Sequence, residues 1–229
     1  MQSSGITRVF QKGTVIEKGA CSFTLLRGGK LTADRSAAIQ RRHQEQLGEG
    51  GNDVSSIREG DEYAAATLSI VLHSRSPTVP TFRSDVRIFV VRPSNNSKNG
   101  DVLSWFGEGA GLTPYYLFDE DISFFHGMYR DLCDTHGGGG DGDHDGSSSS
   151  SIPINIIDYR TMKQSCDDYF YLPARAKHRG TGGIFFVNLP ATPQNLTFLK
   201  GVTSTWMPSW LPIVTKRQRT TYTTQQREW

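Results

Sequence analysis

Residues 105–116 read Trp-Phe-Gly-Glu-Gly-Ala-Gly-Leu-Thr-Pro-Tyr-Tyr, and this segment connects an apolar strand to a helix. The Trp-Phe pair ends the apolar run, and Gly107, Gly109 and Gly111 permit backbone conformations that residues with side chains avoid. The Leu-Thr-Pro sequence leads into a tyrosine-rich segment and then a helix that carries a histidine. We therefore predict a glycine loop between aromatic side chains, which suits a flat organic ligand.

Hydrophobic periodicity on both sides of this segment predicts further strands and helices. Strand patterns occupy residues 64–73, 85–92, 101–106 and 181–189, and residues 14–26 are predicted to form two strands with a turn at Lys18-Gly19. Helical patterns occupy residues 31–46, 119–136, 154–172 and 192–206. Consecutive strands joined by hairpins, with helices between them, indicate the α+β class, with a large antiparallel sheet flanked by helices.

The composition is typical of a folded protein without a membrane span. The chain has 229 residues, of which 36% are apolar, so a substantial core can form. It contains no apolar run of about 18 residues, and its first residues lack the apolar core of a signal peptide. Three cysteines without a framework spacing favour a reducing compartment. We expect a single domain over residues 1–229 in the cytoplasm, with an organelle as the open alternative.

The distribution of charge argues against a nucleic-acid partner. The net charge is +2, and the one basic cluster, Lys216-Arg-Gln-Arg219, lies in a polar C-terminal segment. A nucleic-acid surface needs basic residues interleaved with aromatic residues on one face, and no such pattern occurs here. The mild basic excess is compatible with an anionic small molecule.

Residues 137–151 are a run of glycine, aspartate, histidine and serine that we expect to form a flexible insertion. Within it, residues 141–146 match the first six positions of a calcium-binding loop. Such a loop requires a bidentate glutamate at its twelfth position, where this chain has Ile152. A flexible insertion therefore fits the segment better than a calcium site.

Arginine residues in or beside the predicted strands are the first candidates for anion binding. Arg87 falls on the face of its strand opposite the aliphatic neighbours, and Arg83 lies four residues before it. An arginine in this position either reaches solvent or pairs with a carboxylate, and the pattern leaves both possibilities open. Arg179 precedes the glycine-rich residues 180–183, where the backbone can approach a ligand closely.

Two histidines, His73 and His126, lie within predicted elements and are either structural or ligands. A metal centre needs three or four ligands that converge in the fold. The separation of the histidines in the sequence neither supports nor excludes such a centre.

Several segments together resemble the oxygen-dependent coproporphyrinogen III oxidases. The first is the glycine-rich segment at residues 105–116. The others read Thr14-Val-Ile-Glu-Lys-Gly, Ser69-Ile-Val-Leu-His, Pro77-Thr-Val-Pro-Thr, Val86-Arg-Ile-Phe, Cys166-Asp-Asp-Tyr-Phe-Tyr-Leu, Arg179-Gly-Thr-Gly-Gly-Ile-Phe-Phe and Trp210-Leu-Pro-Ile-Val. They occur in the family's order, which is more specific than any single motif.

The resemblance implies a fold, a reaction and a set of partners. The fold would be a large antiparallel sheet with helices on both faces, in a protein that forms a homodimer when complete. The reaction would be the oxidative decarboxylation of two propionates of coproporphyrinogen III to vinyl groups, which gives protoporphyrinogen IX in heme biosynthesis. Molecular oxygen would be the co-substrate and no organic cofactor would be needed, while some family members are assigned a metal.

The resemblance also implies roles for individual positions. The catalytic residues would be Asp85, Arg87 and Arg83, and the substrate-binding residues would be Ser69, Asp85, Arg87, Gly109, Arg179, Gly182 and Gly183. His73 and His126 match two of the family's metal-ligand histidines. Arg87 and Arg179 would hold carboxylates, and Asp85 would face the pyrrole N–H groups.

The chain departs from the family pattern where the chemistry is expected. Arg83 stands at the position of the family's proposed proton donor, a histidine, and Gly111 stands at an aspartate of the family's glycine-rich motif. Ala174 stands near a third family histidine, and family sequences continue past Trp229. Glu108 could supply the missing carboxylate if the glycine loop were rearranged.

Two hypotheses about function follow from the resemblance and these departures. In the first, the chain is a divergent oxidase, incomplete at its C-terminus. In the second, it is a catalytically dead pseudo-oxidase that retains tetrapyrrole binding or acts through protein contacts.

Overall fold

The computed structural model describes residues 1–47, 54, 56–94, 102–137 and 157–227. In this part of the chain the strands are β1 (Gln2–Gln11), β2 (Ile16–Lys30), β3 (Glu62–Ser74), β4 (Thr81–Arg92), β5 (Leu103–Thr113), β6 (Tyr171–Leu172), β7 (Lys177–His178) and β8 (Gly182–Pro190). The helices are α1 (Ala33–Leu47), α2 (Asp119–His136), α3 (Tyr159–Tyr169), α4 (Pro193–Arg217) and α5 (Thr224–Arg227). Apart from Ser94 and Gly137, the expected hairpin loop at 94–100 and the insertion at 137–151, with its calcium-like segment, lie outside the described residues.

A six-stranded antiparallel sheet in the order β1-β2-β3-β4-β5-β8 is the centre of the fold. The first five strands pair with their neighbours in sequence, and β8 returns to pair with β5. Helices pack on this sheet, so the predicted α+β class is confirmed. Among the described residues, no helix has both the length and the apolar character needed to cross a membrane.

The predicted glycine loop is wrong, because Gly107, Gly109 and Gly111 all lie inside strand β5. None of the three has a backbone in the left-handed region. β5 pairs with β4 on one side and β8 on the other, and these two ladders hold an extended conformation that glycine by itself does not favour. The missing side chains therefore leave room on the sheet surface instead of bending the chain.

Several other boundaries differ from the prediction, and those of β2 and α4 differ most clearly. β2 runs through Lys18 and Gly19, and the hairpin connection lies at residues 12–15, where Lys12 adopts a positive φ of 59°. α4 continues past Trp206 to Arg217, although it contains Pro208 and Pro212. The apolar residues that follow pack into the core, and this packing outweighs the local cost of the prolines.

The main core lies between one face of the sheet and helices α2 and α4. It includes Phe82, Phe106, Leu112, Ile184 and Phe186 from the strands, and Phe125, Tyr129, Phe198, Trp206 and Trp210 from the helices. Burial of each such apolar side chain contributes about 1.5–3 kcal/mol, so this layer carries most of the stability.

A buried ion pair connects the two core helices. Arg217 at the end of α4 donates from Nε to Oδ2 of Asp121 at 2.7 Å and from Nη2 to Oδ1 at 3.1 Å. Asp121 lies in the first turn of α2, where a carboxylate is also favoured by the helix dipole. This contact sets the relative position of α2 and α4 on the core face.

The opposite face of the sheet is covered at two places. Helix α1 packs against Tyr63, Phe89 and Trp105, and the rings of Tyr63 and Phe89 stack at 5.1 Å. Helix α3 lies against β8 at the edge of the sheet, and the end of α3 reaches this face through Cys166 and Phe170. The sheet surface between α1 and α3 is an open groove.

Candidate active site

The floor of this groove is formed by residues that alternate along three neighbouring strands. Ser69 of β3 pairs with Asp85 of β4, and Asp85 pairs with Gly109 of β5. Arg83 and Arg87 lie two residues before and after Asp85, so strand alternation places them on the same face. One end of the groove is a pocket of about 210 Å³ whose lining includes Ser69, Arg83, Asp85, Gly109, Gly111, Cys166, Phe170, Arg179 and Gly182.

Gly107 determines where the Arg87 side chain lies. A Cβ atom at Gly107 would be 2.9 Å from Arg87 Nε and 3.1 Å from its Cγ. The arginine therefore lies across β5 in the space that a larger residue would occupy, and its guanidinium carbon reaches to 5.9 Å from the centre of the Phe185 ring on β8. Arg87 Nε is 3.5 Å from Asp85 Oδ2, which is an ion pair without hydrogen-bond geometry.

The groove contains more cationic than anionic groups. Burial raises the pKa of Asp85, although the nearby guanidinium groups of Arg87 and Arg179 oppose this shift. Burial lowers the pKa of Arg179, and the charge of Arg83, which lines the same pocket, lowers it further. The Nε atoms of Arg83 and Arg87 are buried and have no hydrogen-bond partner among the described residues. Unpaired buried donors of this kind favour an anionic ligand.

Phe170, at the end of α3, lines one side of the pocket and is packed against aromatic side chains of α3 and β8. The Arg179 guanidinium lies 3.6 Å from the centre of the Phe170 ring, a cation–π contact that fixes its position. Phe185 packs against both Phe170 and Tyr169. Neither Phe170 nor Phe185 is predicted as a site residue from the sequence, although both belong to aromatic runs, Tyr169-Phe-Tyr and Ile184-Phe-Phe.

The two predicted metal ligands have different surroundings. His126 is buried in α2, with Nε2 3.1 Å from the carbonyl oxygen of Thr181 and Nδ1 2.7 Å from the Tyr159 hydroxyl. Burial lowers the pKa of His126 to about 4, so the ring is neutral and both nitrogens are used in hydrogen bonds. A metal ligand needs an available lone pair, so His126 could bind a metal ion only if one of these two hydrogen bonds were broken.

His73 lies near the end of β3, two residues after Val71 and on the groove face. Its Nδ1 atom is 3.4 Å from Thr81 Oγ1. Burial lowers the pKa of His73, and the charges of Arg83 and Lys18 lower it further. Within the described ranges, no three histidine, cysteine or carboxylate side chains are grouped so that they could hold a metal ion. The metal role of His73 and His126 stays a prediction.

Glu108 cannot replace the carboxylate that is missing at Gly111. Its side chain is on the core face of β5, fully buried, and Oε1 accepts a hydrogen bond of 3.1 Å from Trp206 Nε1. Strand alternation places Glu108 and Gly111 on opposite faces, so no loop rearrangement is available to bring Glu108 into the groove. The rearrangement considered from the sequence is therefore wrong.

The structure brings most of the predicted site residues together. Ser69, Arg83, Asp85, Gly109, Arg179 and Gly182 line one pocket, and Arg87 is paired with Asp85 beside it. Gly183 of β8 lies opposite Gly111 of β5. A Cβ atom at Gly183 would be 1.9 Å from the carbonyl oxygen of Ala110, so the glycine at this position reflects tight strand pairing. The roles of these residues in catalysis and binding stay predictions. The arrangement can bind carboxylates with its arginines and accept a proton at Asp85.

A comparison with protein families agrees with the chemistry of this groove. A family model described as coproporphyrinogen III oxidase matches residues 1–229, the whole chain. The match supports a general function in heme biosynthesis, with coproporphyrinogen as the substrate that the family implies. On the evidence of its sequence over that full range, the chain belongs to the coproporphyrinogen III oxidase family.

Proposed function

We propose that this chain catalyses the oxygen-dependent conversion of coproporphyrinogen III to protoporphyrinogen IX. The observation that carries the proposal is the half-buried carboxylate of Asp85, which lies among Arg83, Arg87 and Arg179 on a sheet surface without side chains at Gly109 and Gly111. Such a surface admits a large ring, while the arginines supply partners for its carboxylates.

The chemistry at each reacting side chain is a two-electron oxidation. One propionate, one molecule of oxygen and one proton give a vinyl group, carbon dioxide and hydrogen peroxide. The bond between the carboxyl carbon and its neighbour breaks, and the carbon attached to the pyrrole loses a hydrogen. Oxygen accepts the two electrons, and two protons complete the peroxide.

The residues of the groove have separate tasks in this reaction. The arginines hold propionates of the substrate, and Asp85 accepts the pyrrole N–H proton, which makes the ring electron-rich for oxidation. Because burial raises the pKa of Asp85, its carboxylate is a better base than an exposed aspartate. Phe170 lines the pocket and is backed by Phe185, so it excludes water from one side, which protects reactive intermediates.

Three variants test these roles with coproporphyrinogen III in air and vinyl product as the readout. Asp85→Asn keeps the shape but removes the base, so we expect kcat to fall by about 100-fold or more. Arg87→Ala should raise KM by about tenfold, the loss expected for one charge-assisted contact. Arg8→Ala, at an exposed position on the outer strand β1, is the control. Full activity of Asp85→Asn would refute the assignment of the base.

A pseudo-oxidase is the second candidate function, and a specific observation favours it. No histidine lines the pocket that contains Asp85, in the part of the chain that the structure describes, and Gly111 brings no carboxylate to its floor. Tight binding of coproporphyrinogen III without vinyl product would support this candidate and overturn the first.

Gly111→Asp would then test whether the missing carboxylate is the cause. A Cβ atom at this position lies 3.3 Å from the carbonyl oxygen of Gly182, so an aspartate fits after a shift of a few tenths of an ångström. Turnover by this variant, in a background without turnover, would assign the loss of activity to Gly111.

We further propose that the functional unit is a homodimer. Three exposed apolar residues, Ile6, Phe23 and Leu68, form one row across β1, β2 and β3. This row lies in the part of the sheet that no described helix covers. Exposed apolar rows beside an edge strand favour association with another chain. Analytical ultracentrifugation of the protein and of Phe23→Lys tests this proposal, because a monomer in both cases contradicts it.

We also propose that the protein works in a reducing compartment such as the cytoplasm. Cys21, Cys133 and Cys166 are all unpaired. Burial raises the pKa of Cys133 to about 12 and also raises the pKa of Cys166, so both thiols resist oxidation. Fractionation of expressing cells, followed by detection of the protein, tests the compartment.

A further inference from the structure

A second pocket lies on the same face of the sheet, on the other side of Arg87. It has a volume of about 330 Å³, and its lining includes Arg35 and Ile39 from α1 together with Arg87, Phe89, Trp105 and Gly107. Arg87 is ion-paired with Asp85, which lines the first pocket. The Arg87–Asp85 pair therefore separates two neighbouring cavities in one groove.

The volumes indicate that a large ligand must occupy both cavities. Pockets that bind organic ligands usually have volumes of about 300–1,000 Å³. The first pocket, at about 210 Å³, is below this range, so it can accept only part of a tetrapyrrole. The rest of the ring must extend along the groove, and the second pocket is the adjoining space.

Arg35 is held in a defined orientation at the second pocket. Its guanidinium carbon lies 4.9 Å from the centre of the Tyr63 ring and 5.6 Å from that of Phe89. Its Nη1 donates to the Tyr63 hydroxyl at 3.3 Å. These contacts orient the guanidinium plane but use only one of its N–H donors. No carboxylate among the described residues lies within 4 Å of Arg35.

The charges of this pocket favour an anion. Arg35 and Arg87 are its charged lining residues, and no aspartate or glutamate of the described chain lines it. Two guanidinium groups at one cavity are suited to a carboxylate, which pairs with them in a planar geometry. The flat surfaces of Phe89 and Trp105 provide apolar contact for a ring that carries this carboxylate.

We propose that the cavity between α1 and the sheet is a second carboxylate subsite, where Arg35 and Arg87 bind a propionate that does not react. This inference rests on the proposed function, because it takes the substrate to be a tetrapyrrole with four propionates. With one propionate at Arg35, another pyrrole of the same ring extends over Asp85 and Gly109 into the first pocket. Helix α1 thereby orients the substrate without supplying a reacting group.

Binding of coproporphyrin III, a stable compound with the same four propionates, tests the subsite. Trp105 lines the cavity, so quenching of tryptophan fluorescence reports binding. We expect Arg35→Ala to weaken binding by about tenfold, and Arg35→Glu to weaken it more, because the loss is that of a charge-assisted contact. Arg41→Ala, an exposed arginine on the same helix, is the matched control and should bind like the unchanged protein.

The tetramethyl ester of coproporphyrin III separates recognition of the carboxylate from a structural role of Arg35. The ester has no carboxylate, so Arg35→Ala should bind it as well as the unchanged protein does. Equal weakening with acid and ester would overturn the subsite, and so would an Arg35→Ala protein that binds the acid as tightly as Arg41→Ala does. If Arg179→Ala, at an arginine that lines the first pocket and not the second, still weakens binding in that case, the proposed function survives. If the unchanged protein does not bind coproporphyrin III, the subsite fails, while the vinyl product formed from coproporphyrinogen III decides the proposed function separately.

Discussion

Replacement of Gly107 by alanine should separate ligand binding from stability. The added Cβ atom would lie 2.9 Å from Arg87 Nε, 3.1 Å from Cγ and 3.3 Å from Cδ. The first distance is too short to persist, so one of the two residues must move. β5 is held by hydrogen-bonded strands on both sides, whereas Arg87 is a flexible side chain, and we therefore expect Arg87 to move.

The displacement should have opposite effects on affinity and on stability. Loss of a hydrogen bond between Arg87 and a ligand carboxylate costs about 1.5–3 kcal/mol, or roughly a 10- to 150-fold weaker Kd. Alanine in place of glycine within a strand gains roughly 0.5–1 kcal/mol from reduced chain entropy. Gly107→Ala should therefore bind coproporphyrin III at least about tenfold more weakly, while its Tm stays the same or rises.

Fluorescence titration and thermal unfolding measure these two quantities on the same sample. Gly127→Ala in α2 is the matched control, because a Cβ atom at Gly127 meets no atom within 4 Å. If Gly107→Ala binds coproporphyrin III as tightly as Gly127→Ala, the position of Arg87 does not depend on Gly107 and the reasoning is refuted. A large fall in Tm would instead show that β5 moves rather than Arg87.

Two further predictions concern the core face of the sheet. Burial raises the pKa of Glu108 well above its ordinary value. The free energy of unfolding should therefore be highest below the pKa of an unfolded glutamate, about 4.3, and should fall by up to about 1.4 kcal/mol per pH unit above it. Urea unfolding between pH 5 and pH 8, roughly the range where this fall begins, measures the effect. The free energy of unfolding should depend less on pH in Glu108→Gln than in the unchanged protein, with the exposed Glu59→Gln as control. Equal pH slopes in Glu108→Gln and the unchanged protein would contradict the role of Glu108. Arg217→Ala removes both hydrogen bonds to the buried Asp121 and leaves the Lys216 ammonium, 3.9 Å away, as its cationic partner. It should therefore lower the free energy of unfolding by up to about 3–5 kcal/mol, whereas the exposed Arg219→Ala should not. A similar small loss in both arginine variants would show that the buried pair contributes little.

The elements that could be predicted from the sequence are those with local signals. Helix α2 was predicted at residues 119–136 and is found at Asp119–His136, because acidic residues in its first turn and a helical apolar repeat mark it locally. The alternation of β4 likewise places Arg87 on the face opposite its aliphatic neighbours. Because side chains alternate along a strand, Arg83 and Asp85 lie on the same face as Arg87. Glycine carries no such repeat, so the extended conformation of β5 beyond Phe106 had no local signal.

The sequence alone determined the class of fold, the family and the residues that carry charge in the groove, because periodicity, motif order and residue type are all properties of the chain itself. Only the tertiary structure decided which residues meet across the sheet. Arg179 lies on Phe170, Arg87 lies over Gly107, and Arg35 of α1 faces the same groove. These contacts depend on strand register and helix packing between segments far apart in sequence, which no local pattern encodes.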